Sequence, residues 1–529
     1  IGDLMGEYFD SVTIRIYFLA ILFLFSVPFA AYGLAEIGSL VEAATGGGVP
    51  SGFVIWITAF FLFLYAVIGG WRAVIYVVAA QSFLVLALVL FTGGFAGATF
   101  DSLALVAKGV ATPAGILPDQ IPGVIQFTNG IGKQLPMGGL WTTVAILSFA
   151  LAMIGLVLSP GFGLLGISTS TRKGFAFEQV WVTGGLMAGA LLLIAPVIGA
   201  EIAATASADT GGTQAAFAGF IARLGAADQL MGIAFLMLLV TALQIGIAFF
   251  TASGANIVTI ELIGRYVLPD LSEAGRKLAA RIALAAIFFA VGLTASFAPL
   301  SASIFSSLAL SLSAQLLPAF LGLCWLPWIS RSGVLAGLIV GIIIVVFTEP
   351  FGLILFERLF IDLPWGRWPL TIHSAGWGLF FNVAACLLVS LFTRAGEERD
   401  HRQRLHDELE AVQGAEPGRR AARTAKWSLT LIWAFLALGP GAILGNSFFS
   451  RPIFTGAKIA LGIPSLMVWQ VLFWFIGVFI VWWLAYHDRM SIIETVPRRQ
   501  LSLKLPGSVL QRLPTPGWIA RLLGRLVER

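Results

Sequence analysis

Charge is scarce in this chain: Asp, Glu, Lys and Arg together make up 11% of its 529 residues. A soluble domain carries about a quarter of its residues charged, so an ordinary water-facing surface is excluded. Cysteine is scarcer still. Cys324 and Cys386 both sit inside apolar runs and offer neither a disulfide framework nor a thiolate metal cluster, so they read as packing residues. The four histidines, His373, His401, His406 and His487, form no zinc-ligand pair within an apolar run. No nucleophile and base stand together in those runs either, which argues against an enzyme. The net charge is +5, but the basic residues cluster beside apolar runs, where orientation in a bilayer accounts for them and nucleic acid is not needed.

What the chain has instead is hydrophobic length, with 58% hydrophobic residues. Apolar runs long enough, or nearly so, to cross about 30 Å of hydrocarbon give about twelve expected helices. They cover residues 13–37, 52–70, 73–94, 140–167, 179–200 and 229–263. The other six cover 278–298, 301–326, 333–347, 374–393, 429–449 and 465–486. With residues 1–12 on the cytoplasmic side and sides alternating, most of the 32 Lys and Arg residues fall inside, as expected of a multi-pass inner-membrane protein with a cytoplasmic carboxy terminus. Ile1 is not Met, and an amino-terminal part is expected upstream.

Between the runs, residues 95–139 and 201–228 are rich in Gly, Ala, Pro and Thr and are expected to cap the outer mouth. Residues 394–426 alternate charges, with Leu405, Leu409 and Val412 at helical spacing, as in a solvated amphipathic connector. The basic tail, 487–529, ends in GWIARLLGRLVER, which suits a helix lying on the inner leaflet.

One run carries small and polar residues where lipid favours leucine. Along QIGIAFFTASGANIVTIELIGR, residues 244–265, the positions Gln244, Ile247, Ala248, Thr251, Gly254 and Ala255 share a helix face. Such a stripe suits a binding site, and it equally suits close helix packing with hydroxyls bonded back to their own backbone. Ser159 and Pro160 interrupt another run, freeing backbone groups that only a protein interior or a wet cavity satisfies. Gln244 and Gln315 are amides that line a solute path or bridge helices. Tyr32, just past Pro28, lines an outer vestibule or anchors at the interface. Glu261 is tested as a proton carrier, because intramembrane carboxylates are functional candidates by default.

Taken in order, YAVIGGWRAVIYVVAAQ at Tyr65 to Gln81, the break at Ser159 and Pro160, Phe250 to Tyr266, and Gly333 to Gly341 resemble the landmarks of the sodium/solute symporter family. The opening IGDLMGEYFDSVTIRIY is similar to that family's approach to its third core helix. The resemblance implies a leucine-transporter-like fold of two inverted five-helix repeats with a site near the midplane. It makes 13–94 the last three helices of the first repeat, 140–326 the complete second repeat, 327–393 accessory helices, and 427–486 two carboxy-terminal helices. It further implies a secondary transporter for a small organic solute such as a monocarboxylate or amino acid, coupled to sodium or protons, with no other cofactor. Thr251 and the Ile247 carbonyl correspond to the family's sodium ligands, whereas Phe250 replaces a hydroxyl and Val78 replaces an aspartate. The alternative is a symporter-like sensor module, which would need a signalling domain or a partner subunit.

Overall fold

Inside a bilayer every backbone N–H and C=O must find its partner within the protein, and an apolar run satisfies that by folding as a helix. The computed structural model describes residues 2–100, 143–168, 176–205, 213–268, 271–359, 368–393, 397–412, 419–446, 448–449 and 465–487. Among these residues the chain is helical almost throughout and contains no strand. It is an all-α multi-pass membrane protein. Nine described helices are long and apolar enough to cross a membrane, and a tenth span results if a bent pair is counted as one.

A short helix α1 (Gly2–Tyr8) leads into α2 (Val12–Ala44), whose middle widens into a π turn at Phe25–Phe29. Pro28 lies in that turn; it lacks an N–H, so the ladder there is already interrupted. Helix α3 (Ser51–Thr99) has 49 residues, about 73 Å at 1.5 Å each, more than twice the hydrocarbon thickness. Gly70 divides it, with φ 65 and ψ −163, a conformation open to glycine and strained for any other residue. The boundary between the expected runs 52–70 and 73–94 therefore falls at Gly70.

Helices α4 (Thr143–Val157) and α5 (Pro160–Ser168) follow, bent by 53° at Leu158 and Ser159. A π segment, Glu178–Met187, continues as α6 (Ala188–Thr205). Helix α7 (Thr213–Ala227) then lies across the ends of α2 and α8 (Gln229–Arg265). Next come α9 (Glu273–Phe297), α10 (Pro299–Ala314), α11 (Leu317–Cys324), α12 (Arg331–Thr348) and α13 (Pro350–Arg358). The described chain ends with α14 (Ser374–Phe392), α15 (Glu397–Val412), α16 (Arg419–Ala437) and α17 (Ser465–Trp482).

Small residues set the closest approaches. Gly333, Gly337 and Gly341 of α12 lie against α14, where a Cβ on Gly337 would meet the Asn382 carbonyl at 2.8 Å. A Cβ on Gly155 of α4 would strike the backbone of α10 at Leu310 and Ala314.

Two expectations need correcting. Residues 429–449 do not form one membrane-length helix: Gly439, Pro440 and Gly441 stop α16 at Ala437, and a 3-10 segment, Pro440–Asn446, follows. The charged connector is not simply solvated, because His401, Arg402 and Leu405 of α15 are buried. Its charges find partners on other elements, and a sequence pattern does not register that. The outer segment 101–139 and the tail 488–529 lie outside the described residues.

Candidate functional site

Helix α8 runs through the middle of the molecule, and from Ile247 to Ala255 every residue is buried. Three elements converge on this stretch. The π turn of α2 is the first: the Phe25 ring stacks on Phe250 with centroids 4.7 Å apart, and Phe29 meets Phe250 edge-on at 5.3 Å. A Cβ on Gly254 would run into the Ser26 hydroxyl, so α2 and α8 touch there nearly backbone to backbone. The second is the bend between α4 and α5. Phe162 packs on Phe249 at 5.1 Å, and a Cβ on Gly161 would lie 2.8 Å from Ser253 Oγ. The second half of α3 is the third, with Trp71 5.7 Å from Phe249 and Val78 packed into the cluster that holds Ile247, Ala248 and Ala252.

The hydroxyls of α8 mostly serve their own helix. Thr251 Oγ1 donates to the Ile247 carbonyl at 2.7 Å and lies 3.2 Å from that of Ala248. Ser253 donates to Phe250 O at 3.2 Å, and Thr259 to Ala255 O at 2.7 Å. This is the back-bonding available to any buried hydroxyl in a helix. By contrast, the buried hydroxyls of Ser26 and Ser159 hold no hydrogen bond.

The residues around Thr251 do not fit a sodium ion. A hard cation needs several oxygen ligands to replace its hydration. Here Ile247 O and Thr251 Oγ1 are bonded to each other, and Phe250, Phe25 and Val78 present carbon.

The other expected site residues scatter. Gln244 accepts a hydrogen bond from Gln81 Nε2 at 3.1 Å and so bridges α8 to α3. Gln315 is wholly buried elsewhere, between α10 and α14: its Nε2 donates to Ser311 O at 3.0 Å and its Oε1 accepts from Asn382 Nδ2 at 3.1 Å. Ser159 and Pro160 stand at the bend as expected, both buried. Tyr32 is half-buried, one turn beyond the π turn and one turn before Glu36. Glu261 is buried near the far end of α8, where its carboxylate faces the Gly2 backbone rather than the Thr251 region.

Two polar arrangements escaped the sequence reading. Glu349 is 1% exposed and accepts from Ser307 at 2.9 Å and from Ser311 at 2.8 Å. The Ser307, Ser311 and Gln315 spacing of four was a usable signal, because it puts three polar groups on one face of α10. The second is an ion-pair network at the amino-terminal end of α2. Asp3 lies 3.0 Å from both Arg15 and Arg265, Arg331 pairs with Glu398 at 2.6 Å, and Tyr8 joins His406 Nε2 at 2.9 Å.

The opposite end of α2 is sealed by carbon. Leu40, Phe220, Leu224, Met231 and Phe235 form one buried cluster, with Phe220 and Phe235 edge-on at 4.9 Å. An ion pair, Arg223 to Glu201 at 2.7 Å, stands beside it, and the Arg223 guanidinium sits 4.4 Å over the Phe100 ring. A scan against protein-family models finds no match, and no curated protein is significantly similar to this chain.

Proposed function

We propose that this protein is a secondary transporter that carries a small organic solute by alternating access. The observation that carries the reading is the meeting of two interrupted helices at one place. The 53° break at Ser159 and the π turn at Phe25–Phe29 both face α8 between Phe249 and Gly254. Interrupted helices at membrane depth expose backbone groups, and transporters use such groups to hold cargo. The rings of Phe25, Phe29, Phe162, Phe249 and Phe250 suit an apolar body, and the Ser26 and Ser159 hydroxyls suit a polar group on the same solute.

The same convergence supports membership of the symporter family and its inverted-repeat fold. Twelve spans follow if Gly70 divides α3 in two, α4 and α5 form one broken span, and the region from α16 onward to residue 449 makes one short crossing. The basic residues favour an inner-membrane protein with the Asp3 end and the carboxy terminus in the cytoplasm. Sodium at Thr251 is not part of the proposal, because Phe25, Phe250 and Val78 present carbon where further oxygen ligands would be needed; coupling to protons, or to a cation held elsewhere, is the form we favour.

Purified full chain in proteoliposomes tests this. Labelled monocarboxylates and amino acids are offered with an imposed proton gradient, a sodium gradient, or neither. Gradient-dependent accumulation of one solute class, lost in Gly254→Leu, is expected. Absence of uptake for every solute under all three conditions by a folded protein would overturn the transporter reading in favour of a sensor module. Thr251→Ala is expected to leave any sodium dependence unchanged.

A further inference from the structure

Helix α15 is unlike its neighbours. It is the most highly charged helix of the described chain, and its backbone runs close alongside no other described helix. Its contacts are made by side-chain ends. Glu398 pairs with Arg331 at the start of α12 at 2.6 Å and with Arg402 on its own helix at 3.6 Å. Arg402 reaches across to donate to the Pro327 carbonyl at 3.2 Å. One turn on, His406 Nε2 meets Tyr8 Oη at 2.9 Å, and the same hydroxyl donates to Gly322 O of α11 at 2.9 Å. Leu405 joins the apolar cluster that contains Met5, Tyr8, Phe9 and Ile329.

These partners belong to three different elements: α1, the α11 end with the turn after it, and the first turn of α12. All three lie at the ion-paired end of the molecule. Helix α15 comes next after α14 in sequence, and α14 is tied to the start of α12 by Ser330 N donating to Ser390 Oγ at 3.1 Å and by the Ser330 and Thr393 hydroxyls 2.6 Å apart. A helix held through such side-chain contacts can detach while the packed core stays in place. Among these contacts the pair of Glu398 with Arg331, both partly exposed, is an ion pair of the kind that salt and competing charges weaken.

We propose that α15 is a detachable clasp: docked through Glu398, Arg402 and His406 it holds α1, the α11 end and α12 together and keeps this end of the protein shut, and it undocks when the end opens. The clasp stands on contacts separate from the solute site, so it does not depend on the transport reading. Its charge makes it the point at which ionic strength or a charged partner would govern opening.

The test reads undocking directly. In the full chain held in nanodiscs, with Cys324→Ser and Cys386→Ala, a reporter Leu405→Cys is 7% exposed at that position when docked. Alkylation by a charged maleimide is expected to be slow at low salt and to accelerate severalfold with Glu398→Ala or at high salt. The pair Arg331→Glu with Glu398→Arg, which rebuilds the contact with its charges exchanged, is expected to restore most of the protection. Unfolded variants are recognised by loss of the single size-exclusion peak, and the wild-type salt response then decides alone. Labelling that is equally slow in every variant and at every salt concentration, or fast in all of them, would overturn the clasp.

Discussion

The two ends of α2 are closed by opposite chemistry. At one end Asp3, Arg15, Arg265, Arg331 and Glu398 form a lattice of charges; at the other, Phe220, Leu224 and Phe235 of a helical hairpin exclude water with carbon. The Asp228 side chain, capping α8 through Leu230 N at 2.8 Å, sets the hairpin's turn. A charge lattice is held by geometry and yields to screening, whereas an apolar seal is held by area and does not. The difference teaches that the two ends of one helix can be closed by contacts that answer differently to salt.

Breaking the charged end at its most buried member gives the largest expected effect. Arg15 is 1% exposed, and Arg15→Ala empties the buried space of its side chain and leaves Asp3 with Arg265 as its partner, with a loss of about 3–5 kcal/mol. The thermal midpoint of the purified chain is expected to fall far more than for Lys277→Ala, whose partner Glu273 is on the exposed surface of one helix turn. At the carbon-sealed end, Phe220→Ala removes a wholly buried ring and is expected to cost about 3 kcal/mol, with no change when salt is raised. A salt-dependent loss there would erase the contrast between the ends.

Tyr8 sharpens the comparison through pH. Burial pushes its hydroxyl well above the ordinary value of 10.0. The folded state therefore binds the proton more tightly than the unfolded chain, so stability from this group is complete below about pH 10 and declines as pH rises beyond it. Tyr8→Phe is expected to remove that alkaline decline while costing about 1 kcal/mol at neutral pH. The smallest effect is that of salt on the wild type: screening the partly exposed pair of Arg331 and Glu398 is expected to cost under about 1 kcal/mol, read as a shift in the same midpoint.

Much of the scaffold was legible in the sequence because bilayer crossing is a local property. Hydrophobic length located the spans, Gly70 marked a break through its freedom at positive φ, and Ser159 with Pro160 marked a bend through the missing N–H. The site was half legible. Thr251 and Ile247 do lie side by side, but the rings of Phe25 and Phe29 that close on the neighbouring Phe250 come from more than two hundred residues away in sequence. The burial of α15 was not legible at all, because its alternating charges look the same whether water or Arg331 and Pro327 answer them. Glu349 was missed for a related reason. Pro350 forces it into extended backbone, and only the fold turns its carboxylate onto Ser307 and Ser311.

The π turn at Phe25–Phe29 has a bearing on how α2 serves two unlike ends. A π turn holds one residue more than an α turn, so it offsets the angular phase of everything after it by about 100°. The orientation of the buried Ile14, Phe18 and Ile21 before it relative to Leu34, Ile37 and Leu40 after it is set by that offset. Deleting Val27 would straighten the spiral and swing the Leu40 half away from Phe220 while leaving the Arg15 half where it is. A single inserted residue thus lets one rod present two independently aimed faces.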